Sequence, residues 1–211
     1  MIIPAILENN KKEFDAKLKS VLALKGVKSI HIDFADGQFV ATKTIPIEEI
    51  KLPKSKLSFE AHLMITEPKN LETYKTAGFS KIIIHYEAFS NEQDLEATLE
   101  QITKLGMKPG IAISPQTPIS VLRYFTDTVD SFTLMGVIPG KQGRKQAEDV
   151  LDRLRELRDT APSGSIQIDG GVNKENISSL IDSGATDCVS GSALLVGDVK
   201  ENYAELLEAL K

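Results

Sequence analysis

The sequence has little cysteine and no long apolar run. It contains a single cysteine, Cys188, which excludes an internal disulfide. No apolar stretch approaches the roughly 18 residues that a membrane-spanning helix needs. The apolar N-terminus is interrupted by Pro4 and Glu8 and lacks the basic segment of a signal peptide. These absences predict a cytoplasmic protein without a membrane segment.

Excess positive charge is also missing. The formal net charge is -5, and lysines and arginines form no cluster larger than a local one. Binding to a phosphate backbone requires such a cluster, so a nucleic-acid partner is excluded. With 211 residues and 41% hydrophobic content, the chain can bury a large core. We expect one domain, residues 1–211.

Strand-like and helix-like segments alternate along the whole chain. Segment 81–86 has the β-branched run of a strand buried on both faces, and Leu95, Leu99 and Ile102 recur at helical spacing in the next segment. Eight such units can be counted. The alternation predicts parallel strands joined by crossover helices. Eight units favour a single (β/α)8 TIM barrel of the α/β class, and a doubly wound open sheet is the alternative.

Two helix starts are predicted from local residue pairs. Ser90 and Gln93 have the spacing of a capping box before the helix that contains Leu95. Thr117 and Pro118 read as a cap and first residue of a helix that runs through Phe125.

Reactive side chains fall at the ends of the predicted strands. His31 and Asp33 end the second strand on one face, His62 ends the third, His85 the fourth and Asp169 the seventh. In a TIM barrel these ends form the active-site rim. Burying two histidines and two carboxylates there is costly unless a divalent cation satisfies them. His31, Asp33, His62 and Asp169 therefore form a candidate site for Zn²⁺, Fe²⁺, Mn²⁺ or Co²⁺.

Glycines cluster after the last three predicted strands. The loops after the sixth to eighth strands of a TIM barrel commonly bind phosphate through backbone amides. Lys141 and Arg144 lie beside these glycines and could add positive charge. The candidate phosphate-binding residues are Gly140, Gly143, Gly170, Gly171, Gly191 and Ser192.

Three further polar residues are predicted to support the site rather than to react. Asp36 is expected to hold the loop after the second strand. His85 and Glu60 are expected to form hydrogen bonds inside the barrel that orient the candidate metal ligands.

The order of these segments resembles the ribulose-phosphate 3-epimerase family. The similarity runs through nearly the whole chain, in the segments PAIL, HIDFADGQFV, EAHLMI, MGVIPG, IDGGV and SGSA. The HIDFADGQFV segment, with the pattern His-x-Asp-x-x-Asp-Gly-x-Phe-Val, and the His-Leu-Met of EAHLMI are its specific signals. The resemblance implies a metal-dependent (β/α)8 barrel that acts on a ketopentose phosphate.

The resemblance also implies roles for individual residues. His31, Asp33, His62 and Asp169 would hold the metal, and Asp33 and Asp169 would also form the acid/base pair. Met64 and Met135 match methionines that line the family's substrate site. The implied reaction interconverts D-ribulose 5-phosphate and D-xylulose 5-phosphate through an enediolate. Whether copies of the chain form a homo-oligomer stays open.

The sequence departs from the family pattern around the substrate. Ala5 stands where the family usually has a serine, Ala35 replaces a methionine, Ile138 replaces an asparagine, and residues 141–144 differ from the usual Phe-Gly-Gly-Gln. These departures leave an alternative substrate open, such as a ketohexose 6-phosphate. A non-catalytic sugar-phosphate-binding barrel is a third alternative, although it would not need the four metal ligands.

Overall fold

A closed barrel of parallel strands forms the centre of the molecule. The computed structural model describes residues 1–140, 143 and 145–211. Within them, eight strands pair in chain order and the last pairs with the first. This confirms the predicted TIM barrel and excludes the open sheet. The strands are β1 Ile2–Ile6, β2 Ser29–Ala35, β3 Ser58–Met64, β4 Lys81–His85, β5 Lys108–Ile113, β6 Ser131–Met135, β7 Ser165–Asp169 and β8 Asp187–Ser190.

Helices fill most of the connections between strands. The connections after β2 and β5 contain only the 3₁₀-helices Ile47–Glu49 and Ile119–Phe125, and a third 3₁₀-helix, Tyr86–Ala88, follows β4. No helix in the described ranges is long and apolar enough to span a membrane. The α-helices are α1 Lys11–Leu22, α2 Leu71–Ala77, α3 Glu92–Lys104, α4 Val150–Thr160, α5 Ile177–Asp182, α6 Ser192–Leu195 and α7 Val199–Glu208.

Both predicted caps are wrong for the same reason, whereas the helices that they precede are observed, each beginning one residue later than predicted. Helix α3 is capped by Asn91, whose side-chain oxygen accepts from the Asp94 amide at 2.9 Å. The Ser90 hydroxyl instead lies 3.4 Å from the Glu67 carboxylate. The Thr117 hydroxyl likewise donates to Glu87 rather than capping its own segment. In each case a distant carboxylate takes the hydroxyl that the local pattern assigned to a cap.

The main apolar core lies between the barrel and the helices. Phe14, Leu99 and Leu154 from helices pack there with outward-facing strand residues such as Ile32 and Ile84. This is expected because alternate residues of a strand point to opposite faces.

The inside of the barrel is much more polar. Glu60 on β3 hydrogen-bonds Gln167 on β7 at 2.8 Å, which is a contact across the barrel axis. A separate apolar cluster of Ile3, Ala5 and Val189 lies apart from the main core. The inward faces of β2, β3, β6 and β7 therefore carry the polar residues that build the candidate site.

Candidate active site

Four side chains converge at the carboxyl ends of the strands. Each of His31, Asp33, His62 and Asp169 offers one ligand atom, and these atoms lie within 4.8 Å of one another. Strand β2 supplies the first two, β3 supplies His62, and β7 ends at Asp169. The two histidines are fully buried, and the Asp169 side chain is 14% exposed. The structure thus brings together the four residues that the sequence singled out.

The carboxylates face the histidine rings directly. Asp33 Oδ1 lies 2.8 Å from His62 Nδ1 and 3.2 Å from His31 Nε2. Asp169 Oδ2 lies 3.5 Å from His62 Nδ1 and 3.9 Å from His31 Nε2. One nitrogen of each ring therefore points into the same small space between two carboxyl groups.

The second nitrogen of His31 is held by Glu60. His31 Nδ1 lies 2.7 Å from Glu60 Oε1, and the Gln167 amide donates to both oxygens of Glu60, at 2.8 and 3.1 Å. Thr133 in turn donates to Gln167 at 2.9 Å, and the Lys81 ammonium is 3.4 Å from Glu60. Glu60 therefore hydrogen-bonds inside the barrel and orients His31, as predicted.

The second nitrogen of His62 is held through a relay that the sequence did not fully reveal. His62 Nε2 lies 2.9 Å from His85 Nε2, and His85 Nδ1 lies 3.2 Å from Glu87 Oε2. The supporting hydrogen bond expected for His85 is confirmed, but Glu87 was missed. The available signal was its position two residues after His85, just beyond the end of β4.

Asp36 holds the loop after β2, as expected. Its Oδ1 accepts from the backbone amides of Gln38 and Phe39 at 2.7 and 2.9 Å, and its Oδ2 accepts from the Thr66 amide at 3.1 Å. The carboxylate therefore joins the β2 loop to the segment after β3.

The environment separates the pKa values of the two central carboxyl groups. Burial raises the pKa of Asp33, but the adjacent His31 and His62 outweigh burial and lower it. Burial raises the pKa of Asp169 as well, and the Asp33 charge adds to burial, so this pKa stays above its usual range despite His31. Two carboxyl groups whose pKa values are driven apart suit an acid and a base in one site.

The pKa values of His31 and His85 are also shifted. Burial lowers the pKa of His31, but Asp33, Glu60 and Asp169 reverse this effect and hold it well above its usual range. Burial lowers the pKa of His85 to about 4 even though Glu87 opposes the change. The surroundings of His31 therefore favour its protonated ring, whereas burial of His85 favours its neutral ring.

The donor set fits a divalent cation. A neutral His31 ring can donate to Glu60 or to Asp33, but not to both, so contact with both carboxylates needs an additional positive charge, which is either a second ring proton or a cation. A cation among the four ligand atoms would provide that charge and offset both aspartates. Two imidazole nitrogens and two carboxylate oxygens suit several transition metals. These residues could therefore hold a metal ion, whose identity the ligand types do not fix.

A pocket opens directly above the four ligands. The space between its walls, which is open to solvent at the mouth, measures about 520 Å³. Asp33 and Asp169 line it together with Ala5. All the other predicted pocket residues line it too, namely Met64, Met135, Gly140, Gly143, Gly170, Gly171, Gly191 and Ser192.

The positions that depart from the family pattern differ in their relation to this pocket. Ala5 lines it, and Ala35 is buried at the end of β2. Ile138 is 51% exposed. Lys141 and Arg144, the candidate cations beside the glycines, lie outside the described residues.

Gly170 is the pocket glycine with the strictest steric requirement. Its φ is +99°, and a Cβ atom there would lie 2.5 Å from Val137 Cγ2. We expect Gly170→Ala to destabilise the protein by about 1–3 kcal/mol in urea unfolding, because it adds both a clash and backbone strain. In the double variant with Val137→Ala the clash is relieved but the strain remains, so stability should recover only in part. A Gly170→Ala protein as stable as the wild type would contradict this.

Comparison with solved structures supports the fold alone. A mutant tryptophan synthase alpha-subunit from Pyrococcus furiosus matches with a TM-score of 0.73 and 19% identity, covering 98% of this chain and 97% of that one. A thiamine phosphate pyrophosphorylase from the same organism matches with a TM-score of 0.66 and 14% identity, over 99% and 94% of the two chains.

Comparison with sequence relatives identifies the family, which the solved structures do not. Residues 1–195 match the model of the ribulose-phosphate 3 epimerase family. The ribulose-phosphate 3-epimerase of Bacillus subtilis is 34% identical over 201 residues, which span 92% of this chain and 91% of the relative. The chloroplastic ribulose-5-phosphate-3-epimerase of Arabidopsis thaliana is 33% identical over an alignment of 218 positions, which covers 100% of this chain and 76% of the relative. The chain therefore belongs to the ribulose-phosphate 3-epimerase family and is an isomerase of the epimerase type.

Proposed function

We propose that the chain is a single catalytic barrel domain that interconverts D-ribulose 5-phosphate and D-xylulose 5-phosphate. The observation that carries this proposal is the pair of carboxyl groups, Asp33 and Asp169, which lie close together at the bottom of a pocket bordered by glycine loops. Their side chains come from different strands, so they can approach a bound sugar from different sides.

Inversion at C3 needs two positioned groups. The C3 hydrogen is acidic because C3 neighbours the C2 ketone, and inversion requires its removal on one face and the return of a proton on the other. An ionised carboxylate takes the first proton and leaves an enediolate. The second carboxyl group, which is protonated, then donates to the opposite face. Asp33 and Asp169 would exchange these roles when the reaction runs in reverse.

The four converging side chains could also hold a cation that stabilises the negative charge of the enediolate. A divalent cation held by His31, Asp33, His62 and Asp169 would act as a Lewis acid on the negative charge that develops at the sugar oxygens. Glu60 and His85 would keep the two rings oriented toward that position. Met64 and Met135 would cover the reacting carbon and limit the access of water.

The remaining wall of the pocket suits the phosphate group. Backbone N–H groups of glycine loops are uncharged donors that can approach a phosphate closely. The loops after β6, β7 and β8 contribute the lining residues Gly140, Gly170, Gly171 and Gly191, whose N–H groups would bind the phosphate. The sugar phosphate would therefore lie with its ketone over the aspartates and its phosphate among the glycines.

Deuterium incorporation tests this reaction. With the protein loaded with Zn²⁺, Mn²⁺, Fe²⁺ or Co²⁺ in D₂O, we expect deuterium at C3 of both pentulose phosphates and their interconversion, measured by NMR. A protein heated to unfold it serves as the control. If no loaded form exchanges the C3 proton of either sugar, the proposed reaction is wrong.

One observation favours a second substrate. Ala5 lines the pocket with a small side chain, which would leave room for a ketohexose 6-phosphate beside the aspartates. A comparison of kcat/KM for the two ketopentose phosphates and a set of ketohexose 6-phosphates decides between them. The mechanism would be the same in either case.

A further inference from the structure

Glu87 lies outside the pocket but is connected to a candidate metal ligand. Its Oε2 contacts His85 Nδ1 at 3.2 Å, and His85 Nε2 contacts His62 Nε2 at 2.9 Å. The other nitrogen of His62, Nδ1, is the one that faces Asp33 and Asp169. Two hydrogen bonds thus separate Glu87 from the ring that would bind a cation.

The orientation of the Glu87 carboxylate is fixed by donors from another loop. Its Oε1 accepts from the Ser114 backbone amide at 2.7 Å and from the Thr117 hydroxyl. Arg153 donates to the carbonyl oxygens of both Ser114 and Thr117, at 3.3 and 2.7 Å. This loop therefore directs Oε1 toward its donors and leaves Oε2 for His85.

The donor and acceptor types allow one arrangement of protons when a cation is bound. An ionised carboxylate only accepts, so His85 must carry a proton on Nδ1. The facing Nε2 atoms of His62 and His85 lie 2.9 Å apart and can share only one hydrogen, so with the His85 proton on Nδ1 that hydrogen belongs to His62 Nε2. His62 consequently presents the lone pair of Nδ1 toward the two aspartates, which is the form that can bind a metal.

From this arrangement we propose that Glu87 is a positioning residue that sets, through His85, the tautomer of His62 required for metal binding. The inference rests on the metal site of the proposed function. It also gives both candidate histidine ligands a carboxylate partner, which is direct for His31 through Glu60 and relayed for His62 through His85.

A nearly isosteric substitution at Glu87 should reverse the donor and acceptor roles along the hydrogen bonds from residue 87 through His85 to His62. In Glu87→Gln, the Ser114 amide still requires an oxygen acceptor, so the new side-chain NH₂ must face His85 Nδ1. His85 would then accept at Nδ1 and carry its proton on Nε2. His62 would accept from that proton and carry its own on Nδ1, which places a hydrogen where the metal should bind.

The experiment exploits the small number of histidines. Because the chain has three, ¹⁵N labelling of histidine gives three imidazole patterns, which His31→Gln and His85→Gln variants assign. We expect His85 to be protonated on Nδ1 in the wild type, with and without Zn²⁺, and on Nε2 in metal-free Glu87→Gln. Titration with Zn²⁺ should show an affinity about 10–100-fold lower in the variant. A loss of packing alone would not move a proton between ring nitrogens.

A matched control distinguishes the effect of breaking the Glu87–His85–His62 hydrogen bonds from the effect of removing one negative charge. Glu92→Gln removes the same charge nearby, but Glu92 is exposed and accepts from the Tyr86 hydroxyl at 3.1 Å. It should leave the three imidazole patterns and the Zn²⁺ affinity unchanged.

Two results would overturn the proposal. One is a wild-type His85 without a proton on Nδ1, and the other is a Glu87→Gln protein with the wild-type tautomers or with wild-type Zn²⁺ affinity. The metal-free spectra decide the position of the proton even if the wild type binds no Zn²⁺, a result that would count against the metal site itself. Deuterium exchange at C3 is measured separately, so failure of the proposed reaction is distinguishable.

Discussion

Replacing Asp169 by asparagine is expected to lower the rate of sugar interconversion by about 10²–10⁴-fold, the usual contribution of a positioned acid or base. An amide keeps the shape of the side chain but can neither accept the C3 proton nor return one. Asp33 remains on the other side of the pocket floor and can still act as a base. The measurement is the rate of interconversion by NMR, with metal content determined for the same sample.

The sharper test compares this variant with Asp33→Asn. If each aspartate serves one face of C3, each variant should still exchange the C3 proton of one epimer slowly, without inversion, and should fail on the other epimer. The two variants should retain exchange on opposite sugars. Equal loss of exchange with both sugars in metal-loaded protein would contradict a two-carboxylate mechanism and would favour a single group acting on both faces.

Removal of bound metal is expected to have the largest effect on thermal stability. A ligand that binds only the folded state stabilises it by about 2.7 kcal/mol at 100 times its Kd. For a chain of this length that free energy raises the thermal midpoint by about 5–10 °C. In the metal-free protein the carboxylates around His31 and His62 would lose the cation that offsets their charge, which also lowers stability.

If the four residues hold the metal, the increase in the thermal midpoint on metal binding must depend on each of them. His62→Asn removes one imidazole, so addition of Zn²⁺ or Mn²⁺ after treatment with a chelator should move its midpoint by less than 2 °C. Scanning calorimetry of both proteins, with and without metal, gives the comparison. A wild-type midpoint that does not respond to any of the four metals would show that the cluster is not a metal site.

The fold was largely predictable because each strand and helix carries a strong local pattern. Strands β4 and β7 end at His85 and Asp169, the residues at which the sequence predicted them to end. Closure of the sheet into a barrel was harder to predict, because a sequence that forms an open sheet shows the same alternation of strands and helices. It depends on the pairing of β1 with β8, where Ile3 meets Val189.

The centre of the site was predictable for a similar reason. The spacing of His31 and Asp33 places them on one face of a strand, and parallel strands bring their ends to a common rim. For Glu87 the local signal, its position two residues after His85, was not sufficient. The proposed role of Glu87 depends on the hydrogen bond from the Ser114 amide, 27 positions away, and on its hydrogen bond to His85. His85 in turn contacts the site only through His62. Local sequence patterns do not encode such contacts.

The polar interior of the barrel has a consequence for how this chain can change. Along each strand, outward residues such as Ile32 and Ile84 belong to the apolar shell under the helices, whereas inward residues such as His31 and Glu60 determine the chemistry. Folding free energy and reactivity therefore depend on alternate positions of the same strands. Inward residues can be exchanged in combination while the shell stays intact, so a new reaction can arise in this barrel without a new fold.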